Sequence, residues 1–352
     1  MRSITPIAVL LTWLLYALAR LVAPSAMLGL LEPLGSMAAL VGLLTGPVLV
    51  LATLAAAGAA NREKSRLHNV TATLSAVGML VVLSPRPTDV APPGGALTVM
   101  SWNVGRLGGI HERDGKADAD EAKRTMTACL ASQLSVTQPD VLVLTEVSRY
   151  DVESILEPAL GSLSERCVHA AHDAGKQLSS GTLVCSWSTL LSIEDHEIIT
   201  VTHDILPDQQ YPMVKMSGRG GRLQVAGLHL PPLHRSPDRW PAWVRAGLAS
   251  AAQEAMVTSA TTARDMTWPS VLAGDFNQSR HAWIHAHLRR SHADAWESSQ
   301  LGPGGTRLVS GLPTARIDYI YADRQRLSVV DAAVNRRGCS DHDPIIAKIR
   351  QK

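Results

Sequence analysis

A carboxylate and an amide stand two positions apart at the end of a short apolar run. The run is Val271-Leu272-Ala273, and Gly274-Asp275-Phe276-Asn277 follows it. Such a run is typical of a buried strand, and side chains two positions apart on a strand share a face. Asp275 could then accept a proton beside an Asn277 amide that holds an anionic oxygen, which suits attack by water on phosphorus. Because the same residue types also occur in turns, this stretch alone does not identify a site.

A second carboxylate follows a strongly apolar run. Val141 to Leu144 contains only Val and Leu, and Glu146 comes two positions later. A charge at the end of a buried strand costs free energy unless it meets a cation, a metal or water. Mg²⁺ binds one or two carboxylates and fills its other positions with water and phosphate oxygens. Glu146 is therefore a candidate metal ligand, and a surface Glu in a loop is the alternative.

Five more polar side chains lie at or near the ends of predicted strands. They are Asn103 in strand 96–104, His229 in strand 222–230, Asp318 in strand 316–321, and Asp341 and His342 just before strand 345–349. A lone histidine in a strand is more often a core or surface residue than a catalytic one. The recurring position at strand ends favours a functional role for His229.

The rest of this region predicts many short strands with a few helices between them. Helices are predicted at 118–138, 240–263 and 279–290, and loops at Gly302 to Gly305 and at Pro313. Further strands are predicted at 140–146, 166–171, 181–187, 193–202 and 213–216. An excess of short strands with helices interspersed favours an α+β sandwich over a doubly wound parallel sheet.

Five motifs of this chain together resemble the endonuclease/exonuclease/phosphatase family. They are Trp102-Asn103, Thr145-Glu146-Val147, Gly274-Asp275-Phe276-Asn277, Arg316-Ile317-Asp318-Tyr319 and Ser340-Asp341-His342, and His229 matches a sixth position. Each motif alone is weak, whereas their order and spacing agree over about residues 97–350. The resemblance implies a four-layer α/β/β/α sandwich, in which two β-sheets pack face to face with helices outside. It also implies a site at one end of the sheets.

The resemblance implies a role for each catalytic candidate. Asp275 would orient and deprotonate the attacking water, and His342 would be the catalytic histidine. Asp318 would fix the tautomer of His342 and favour its protonated form. Asn277 and His229 would hold phosphoryl oxygens of the substrate.

A metal site for Mg²⁺, or for Mn²⁺, is also implied by the resemblance. Its protein side is formed by Glu146 with Asn103 and Asp341. The bound metal would polarise a phosphoryl oxygen and offset the charge that develops there.

In one respect the chain departs from some nucleases of the family. In those nucleases, a Glu on the strand that corresponds to 181–187 supports the first histidine, which is His229 here. No carboxylate occurs on or next to that strand in this sequence. Hydrogen bonds from Ser179, Ser180 or Thr182 are the alternative support. The sequence therefore argues against nuclease-like support of His229, while the resemblance still implies phosphoester hydrolysis.

The first third of the chain predicts a membrane anchor at residues 1–83. Its apolar runs, at about 4–23, 37–60 and 67–83, are predicted to be three transmembrane helices of a bacterial-type cell membrane. A signal peptide is the alternative for the first run, but the later runs favour an anchored protein. The cations of segment 61–66 place that loop in the cytoplasm. The Pro-rich linker at 84–95 and the catalytic domain at 96–352 then lie outside the cytoplasm.

Charge and cysteine content limit the partners and the compartment. Residues 91–352 contain 27 Lys and Arg against 28 Asp and Glu, so their net charge is −1. Tight nucleic-acid binders usually carry an excess of cations, so nucleic acid is not the favoured partner.

Cys167 and Cys185 are the more favoured disulfide pair, because two neighbouring strands would carry them. Four buried free thiols, including Cys129 and Cys339, are the alternative.

The predicted anchor narrows the substrate class. Three spans followed by an extracytoplasmic domain resemble the bacterial membrane-anchored teicoplanin-resistance proteins of the family, which implies a lipid-linked phosphate or pyrophosphate of cell-wall synthesis. Arg235 and Arg239 follow His229 in a loop with Trp240 and Trp243, so they are candidate ligands of a lipid head group. Packing of the two Trp against the next helix is the alternative. The rival functions are an anchored extracellular nuclease and a catalytically inactive binding domain.

Overall fold

The computed structural model describes residues 95–105, 116–163, 165–171, 180–202, 208–232, 242–280, 282–300, 304–309, 312–335 and 339–352. The three predicted membrane runs, residues 84–94 of the linker, and the predicted substrate ligands Arg235 and Arg239 lie outside these ranges. Within the described ranges, no helix is both long enough and apolar enough to cross a membrane.

One mixed sheet joins the two ends of the described chain. Its strands, in spatial order, are β13 (Leu327–Val334), β14 (Ile345–Gln351), β1 (Leu97–Asn103), β2 (Val141–Ser148), β4 (Ser180–Ser186) and β3 (Cys167–Ala171). Strand β1 is parallel to β2 and antiparallel to β14. The predicted strands of this sheet are confirmed, and β13 is an edge strand that the sequence pattern missed.

A second mixed sheet contains the candidate site residues His229, Asp275 and Asp318. Its strands, in spatial order, are β5 (Leu191–Val201), β6 (Gln209–Gly218), β7 (Gly221–His229), β8 (Ser270–Asp275), β12 (Asp318–Asp323) and β9 (His292–Asp294). Strand β7 is parallel to β8, and β12 is antiparallel to β8. The short strand β9 lies just beyond the helix predicted at 279–290 and was missed by the sequence pattern.

Helices and one separate hairpin complete the described fold. The helices are α1 (Lys116–Thr137), α2 (149–160, with Val152–Leu156 π-helical), α3 (Ala242–Thr262), α4 (Trp283–Leu288) and α5 (Ala295–Ser299). The hairpin consists of β10 (Arg307–Val309) and β11 (Leu312–Ala315). The helix predicted at 279–290 is thus shorter, because it begins only at Trp283, after the extended backbone of Ala282. The loop predicted at Pro313 is wrong, since a two-stranded hairpin has only edge strands and tolerates proline.

Three apolar clusters lie between successive layers. The central cluster includes Val99 and Val143 from the first sheet and Val225 and Val271 from the second. Another cluster joins α3 and α4 to the outer face of the second sheet, and a third joins α1 and α2 to the first. Both faces of each sheet are therefore covered, which explains the continuous apolar runs of the central strands. The predicted sandwich of two packed sheets with helices outside is confirmed.

Two disulfides link distant parts of the described chain. Cys167 and Cys185 occupy directly paired positions of β3 and β4, which confirms the favoured pair. Cys129 of α1 is bonded to Cys339, just before β14, across 210 positions. The alternative of four free thiols is therefore wrong. Disulfides persist in oxidising compartments, so both bonds support an extracytoplasmic location for this domain.

Candidate active site

One end of the sandwich gathers the polar strand ends. Asn103 ends β1, His229 ends β7 and Asp275 ends β8, while β12 begins with Asp318. His229 and Asp318 are paired directly with Asp275, one on each side of β8. Because β7 and β8 run in the same direction and β12 runs against them, these three residues meet at one edge of the sheet.

Asn103 connects the two sheets at this edge. Its Nδ2 donates hydrogen bonds to Asp275 Oδ2 at 2.8 Å and to Glu146 Oε1 at 3.1 Å. Its Oδ1 accepts a hydrogen bond from the backbone N–H of Gly105 at 2.9 Å. The amide therefore holds one carboxylate from each sheet in a fixed orientation.

Glu146 is directed toward the site by an irregularity in β2. The pairing of β2 with β4 shifts register between Thr145 and Val147, and Glu146 has a φ of 61°. A bulge of this kind re-aims a side chain, and a left-handed backbone is uncommon for Glu. Glu146 thus leaves the buried ladder and remains partly exposed at the mouth of the site.

The donor atoms at this edge fit a divalent cation. Glu146, His229 and Asp275 each offer one ligand atom, and these atoms lie within 4.8 Å of one another. His229 Nε2 is 3.7 Å from Glu146 Oε1 and 4.0 Å from Asp275 Oδ2. Asp275, Asp318 and His342 form an overlapping group with the same spacing. Carboxylates that converge this closely repel one another unless a cation or a proton lies between them.

His342 is held between two buried carboxylates. Its Nδ1 is 2.7 Å from Asp318 Oδ2, and its Nε2 is 3.9 Å from Asp275 Oδ2. Burial by itself lowers the pKa of His342, but the charge and hydrogen bond of Asp318 and the charge of Asp275 outweigh it and raise the pKa to about 9. His342 is therefore protonated at neutral pH, with its Nε2–H directed toward the site.

Asp275 has the protonation behaviour of a base that works near neutral pH. Burial, followed by the charge of Asp318, raises the pKa of Asp275 to about 7. The charge of His342 and hydrogen bonds from Asn103 and from the backbone of Asn277 act in the opposite direction. A pKa near the working pH is what proton transfer requires of a general base.

Asn277 reaches the site by a different route from the one predicted. Strand β8 ends at Asp275, and Asn277 has a left-handed backbone with a φ of 49°, so the two side chains do not share a strand face. The backbone N–H of Asn277 donates to Asp275 Oδ1 at 2.7 Å. Its side-chain Nδ2 donates to the carbonyl oxygen of Leu230 at 2.8 Å. The turn keeps Asn277 beside Asp275 and fixes its amide.

Asp341 is the predicted metal-site residue that stands apart from the converging donors. Its Oδ2 is 2.5 Å from Arg307 Nη1, and both side chains are partly exposed.

Arg307 was missed by the sequence analysis, because it lies in a segment that carries no motif. The buried Thr306 was also missed, although its Oγ1 accepts hydrogen bonds from the backbone N–H groups of Ile317 and Asp318. Of the three hydroxyls considered as support for His229, that of Thr182 has no partner among the described residues, and Ser179 lies outside them.

Comparisons with known proteins agree with this fold and site. Residues 100–342 match the Endonuclease/Exonuclease/phosphatase family. An endonuclease/exonuclease/phosphatase family protein from Bacteroides thetaiotaomicron is 16% identical, with a TM-score of 0.58 over 74% of this chain and 98% of that chain. The mannosyl-6-phosphatase of Bacteroides thetaiotaomicron VPI-5482 is 15% identical, with a TM-score of 0.56 over 72% and 99% of the two chains.

A nucleic-acid enzyme shares the same architecture. TDP2 from D. rerio, complexed with single strand DNA product, is 18% identical, with a TM-score of 0.51 over 72% of this chain and 99% of that chain. No curated protein matches the chain. At these identities the solved structures show a shared fold, whereas the family match covers most of the chain and includes the site. The chain belongs to the endonuclease/exonuclease/phosphatase family and has the fold and the acidic and histidine cluster of its metal-dependent phosphoesterases.

Proposed function

We propose that this protein hydrolyses a phosphoester or pyrophosphate bond of a lipid-linked cell-envelope substrate, outside the cytoplasm. The observation that supports hydrolysis at phosphorus is the convergence of Asp275, His342 and Glu146 at one sheet edge. Three apolar N-terminal runs, the two disulfides and a domain net charge of −1 support a membrane-anchored enzyme with a lipid rather than a nucleic-acid substrate. We infer that the anchored form is of the teicoplanin-resistance kind.

The chain's own residues supply the proton transfers in this proposal. Asp275, with its pKa of about 7, accepts the proton of the attacking water. His342, protonated and held at Nδ1 by Asp318, presents Nε2–H to an oxygen of the phosphoryl group. His229, at the end of β7, and Asn277, in the turn after β8, hold other phosphoryl oxygens.

Glu146, Asn103 and Asp341 would hold the metal in this proposal, with Mg²⁺ favoured and Mn²⁺ as the alternative. A bound divalent cation supplies charge stabilisation for the developing phosphoryl charge. The carboxylate oxygens of Glu146 and Asp341 suit either ion, and the Nδ2 of Asn103 orients the Glu146 carboxylate. Arg235 and Arg239, which follow β7, are proposed to pair with the head-group phosphate.

The proposal is tested with the full-length protein in detergent micelles. Phosphate release or bond cleavage is measured on polyprenyl pyrophosphate, phospholipid, a bis-aryl phosphate and DNA, each with Mg²⁺ and with EDTA. We expect Mg²⁺-dependent cleavage with preference for the lipid-linked substrate. A preference for DNA with a steep salt dependence would overturn the substrate class in favour of the nuclease.

A matched pair of variants separates head-group recognition from chemistry. The double variant Arg235→Ala/Arg239→Ala should lose about tenfold or more in kcat/KM on the lipid-linked substrate and less than about threefold on the bis-aryl phosphate. Asp275→Asn serves as the control that loses activity on both. Equal losses in the double variant on both substrates would contradict a head-group role.

A further inference from the structure

The β10–β11 hairpin brings a cation to the rim of the site. Arg307, at the start of β10, forms an isolated antiparallel bridge with His342. The backbone N–H of Leu308 donates to the carbonyl oxygen of Asp341 at 2.7 Å. The hairpin is therefore fixed to the loop that carries Asp341 and His342, and Arg307 is placed beside the reacting groups by main-chain contacts.

The guanidinium of Arg307 has a single carboxylate partner in the described structure. Its Nη1 is 2.5 Å from Asp341 Oδ2, and the side chains of Arg307 and Asp341 are 39% and 30% exposed. A guanidinium carries five N–H donors in a planar fork, and this contact uses one nitrogen. A partly exposed ion pair is also weak compared with a buried one. Arg307 can therefore leave Asp341 at a small cost if a better anion is offered.

The charge balance at this edge favours an anion at that position. Three carboxylates converge here, those of Glu146, Asp275 and Asp318, and a fourth, that of Asp341, directly precedes His342 in the chain. Among the described residues, Arg307 is the one Lys or Arg that forms an ion pair with any of them. In a substrate that carries more than one phosphate group, a guanidinium can pair with the phosphate that does not react.

A metal ion and the guanidinium of Arg307 compete for the carboxylate of Asp341. In the described structure its Oδ2 faces Arg307, although the family resemblance assigns Asp341 to the metal site. We propose that Arg307 is an anion-binding residue that Asp341 holds until a divalent cation takes Asp341, after which Arg307 binds a second phosphate group of the substrate. Arg307 thus makes the site selective for a pyrophosphate-like group over a single phosphate. The inference rests on the phosphoryl chemistry of the proposed function and is independent of the lipid.

Two binding measurements on the full-length protein test the proposal without a lipid substrate. Mn²⁺ binding is measured by calorimetry, and inhibition of bis-aryl phosphate cleavage by orthophosphate and by pyrophosphate is measured at constant free Mn²⁺. Arg307→Gln should bind Mn²⁺ about threefold or more tightly, because the competitor for Asp341 is removed. In this variant the inhibition constant of pyrophosphate should rise about tenfold, and that of orthophosphate less than about threefold. A tenfold change is what one lost charge-assisted contact is expected to cause.

Two further variants distinguish the proposed role of Arg307 from a general loss of folding. Arg307→Lys keeps the charge without the planar fork, so it should bind Mn²⁺ like the wild type and still lose about threefold in pyrophosphate inhibition. Arg350→Gln removes an exposed cation near the far end of β14 and should change neither quantity. Weaker Mn²⁺ binding in Arg307→Gln, or equal changes for the two phosphates, would reduce Arg307 to a positioning residue for Asp341 and overturn the inference.

Discussion

Asp275 and Asp318 occupy directly paired positions of β8 and β12, and their carboxylates share one imidazole. His342 contacts Asp318 through Nδ1 at 2.7 Å and faces Asp275 through Nε2 at 3.9 Å. Two buried carboxylates on neighbouring strands repel each other, and a protonated histidine between them offsets that repulsion. The pairing of two strands therefore influences the protonation of both Asp275, the proposed base, and His342, the proposed catalytic histidine.

The first prediction concerns the pH range in which His342 is charged. Asp318→Asn removes the main group that raises the pKa of His342, while burial continues to lower it. The pKa of His342 should fall from about 9 by at least one unit, as measured by ¹⁵N NMR of the imidazole in EDTA. The alkaline limb of the kcat profile should move to lower pH with it. Asp195→Asn, at an exposed position of β5, is the control and should change neither.

The same shift predicts a pH dependence of stability. The folded-state pKa of His342 lies above its unfolded value of about 6.5, so its stabilisation is fully present below that pH and is lost as pH rises through about 9. The difference in free energy of unfolding between the wild type and Asp318→Asn should thus be largest below pH 6.5 and shrink toward pH 9. Urea unfolding in EDTA measures it. A difference that grows with pH would contradict the protonated His342.

Metal dependence is the next prediction. Glu146→Gln removes the negative charge that this side chain offers a cation and should raise the Mg²⁺ concentration for half-maximal activity by about tenfold or more. Activity is titrated with Mg²⁺ on the bis-aryl phosphate. Glu153→Gln is the matched control, because Glu153 is exposed and pairs with Arg149. Full activity of the wild type in EDTA would rule out the metal site.

The two disulfides should differ in what they contribute. Cys339 directly precedes Ser340, Asp341 and His342, and its bond to Cys129 ties this catalytic loop to α1. We expect Cys129→Ala/Cys339→Ala to lose about tenfold in kcat because the loop is released, in addition to roughly 3–5 kcal/mol of stability. Melting curves and kinetics measure both effects.

The other disulfide provides the control for that experiment. Cys167 and Cys185 are paired across β3 and β4, away from the catalytic loop. Cys167→Ala/Cys185→Ala should lose stability of similar order with kcat within about twofold of the wild type. Comparable losses of kcat in both double variants, measured well below their melting temperatures, would mean that the Cys129–Cys339 bond has no specific role in positioning the loop.

Membrane topology is the last prediction. The cations Arg62, Lys64 and Arg66 between the second and third apolar runs predict that residues 84–352 lie outside the cytoplasm. Protease added to right-side-out spheroplasts should therefore remove the catalytic domain, which an antibody to its C-terminus detects. A cytoplasmic protein in the same sample is the control for membrane integrity. Cleavage only after the membrane is broken would reverse the orientation.

Much of the fold and several site residues follow from the sequence by local rules. The apolar runs at 141–144 and 271–273 predict buried strands, and the polar residues after them mark strand ends where a site forms. Asp275, Asp318 and His342 were predicted in this way, with the family motifs in support, and the structure brings all three together. Such patterns are visible because burial of a strand constrains every residue along it.

Tertiary structure alone decided how those residues meet. The bulge that turns Glu146 toward the site, and the left-handed turn at Asn277, depend on how their strands pair and end. Asn103 bridges carboxylates of both sheets, and the Cys129–Cys339 bond spans 210 positions. Arg307 carries no motif and lies beside the site only because its hairpin lies against the loop of Asp341. These contacts join segments far apart in sequence, so the packing of the sheets and hairpin, and no local pattern, determines them.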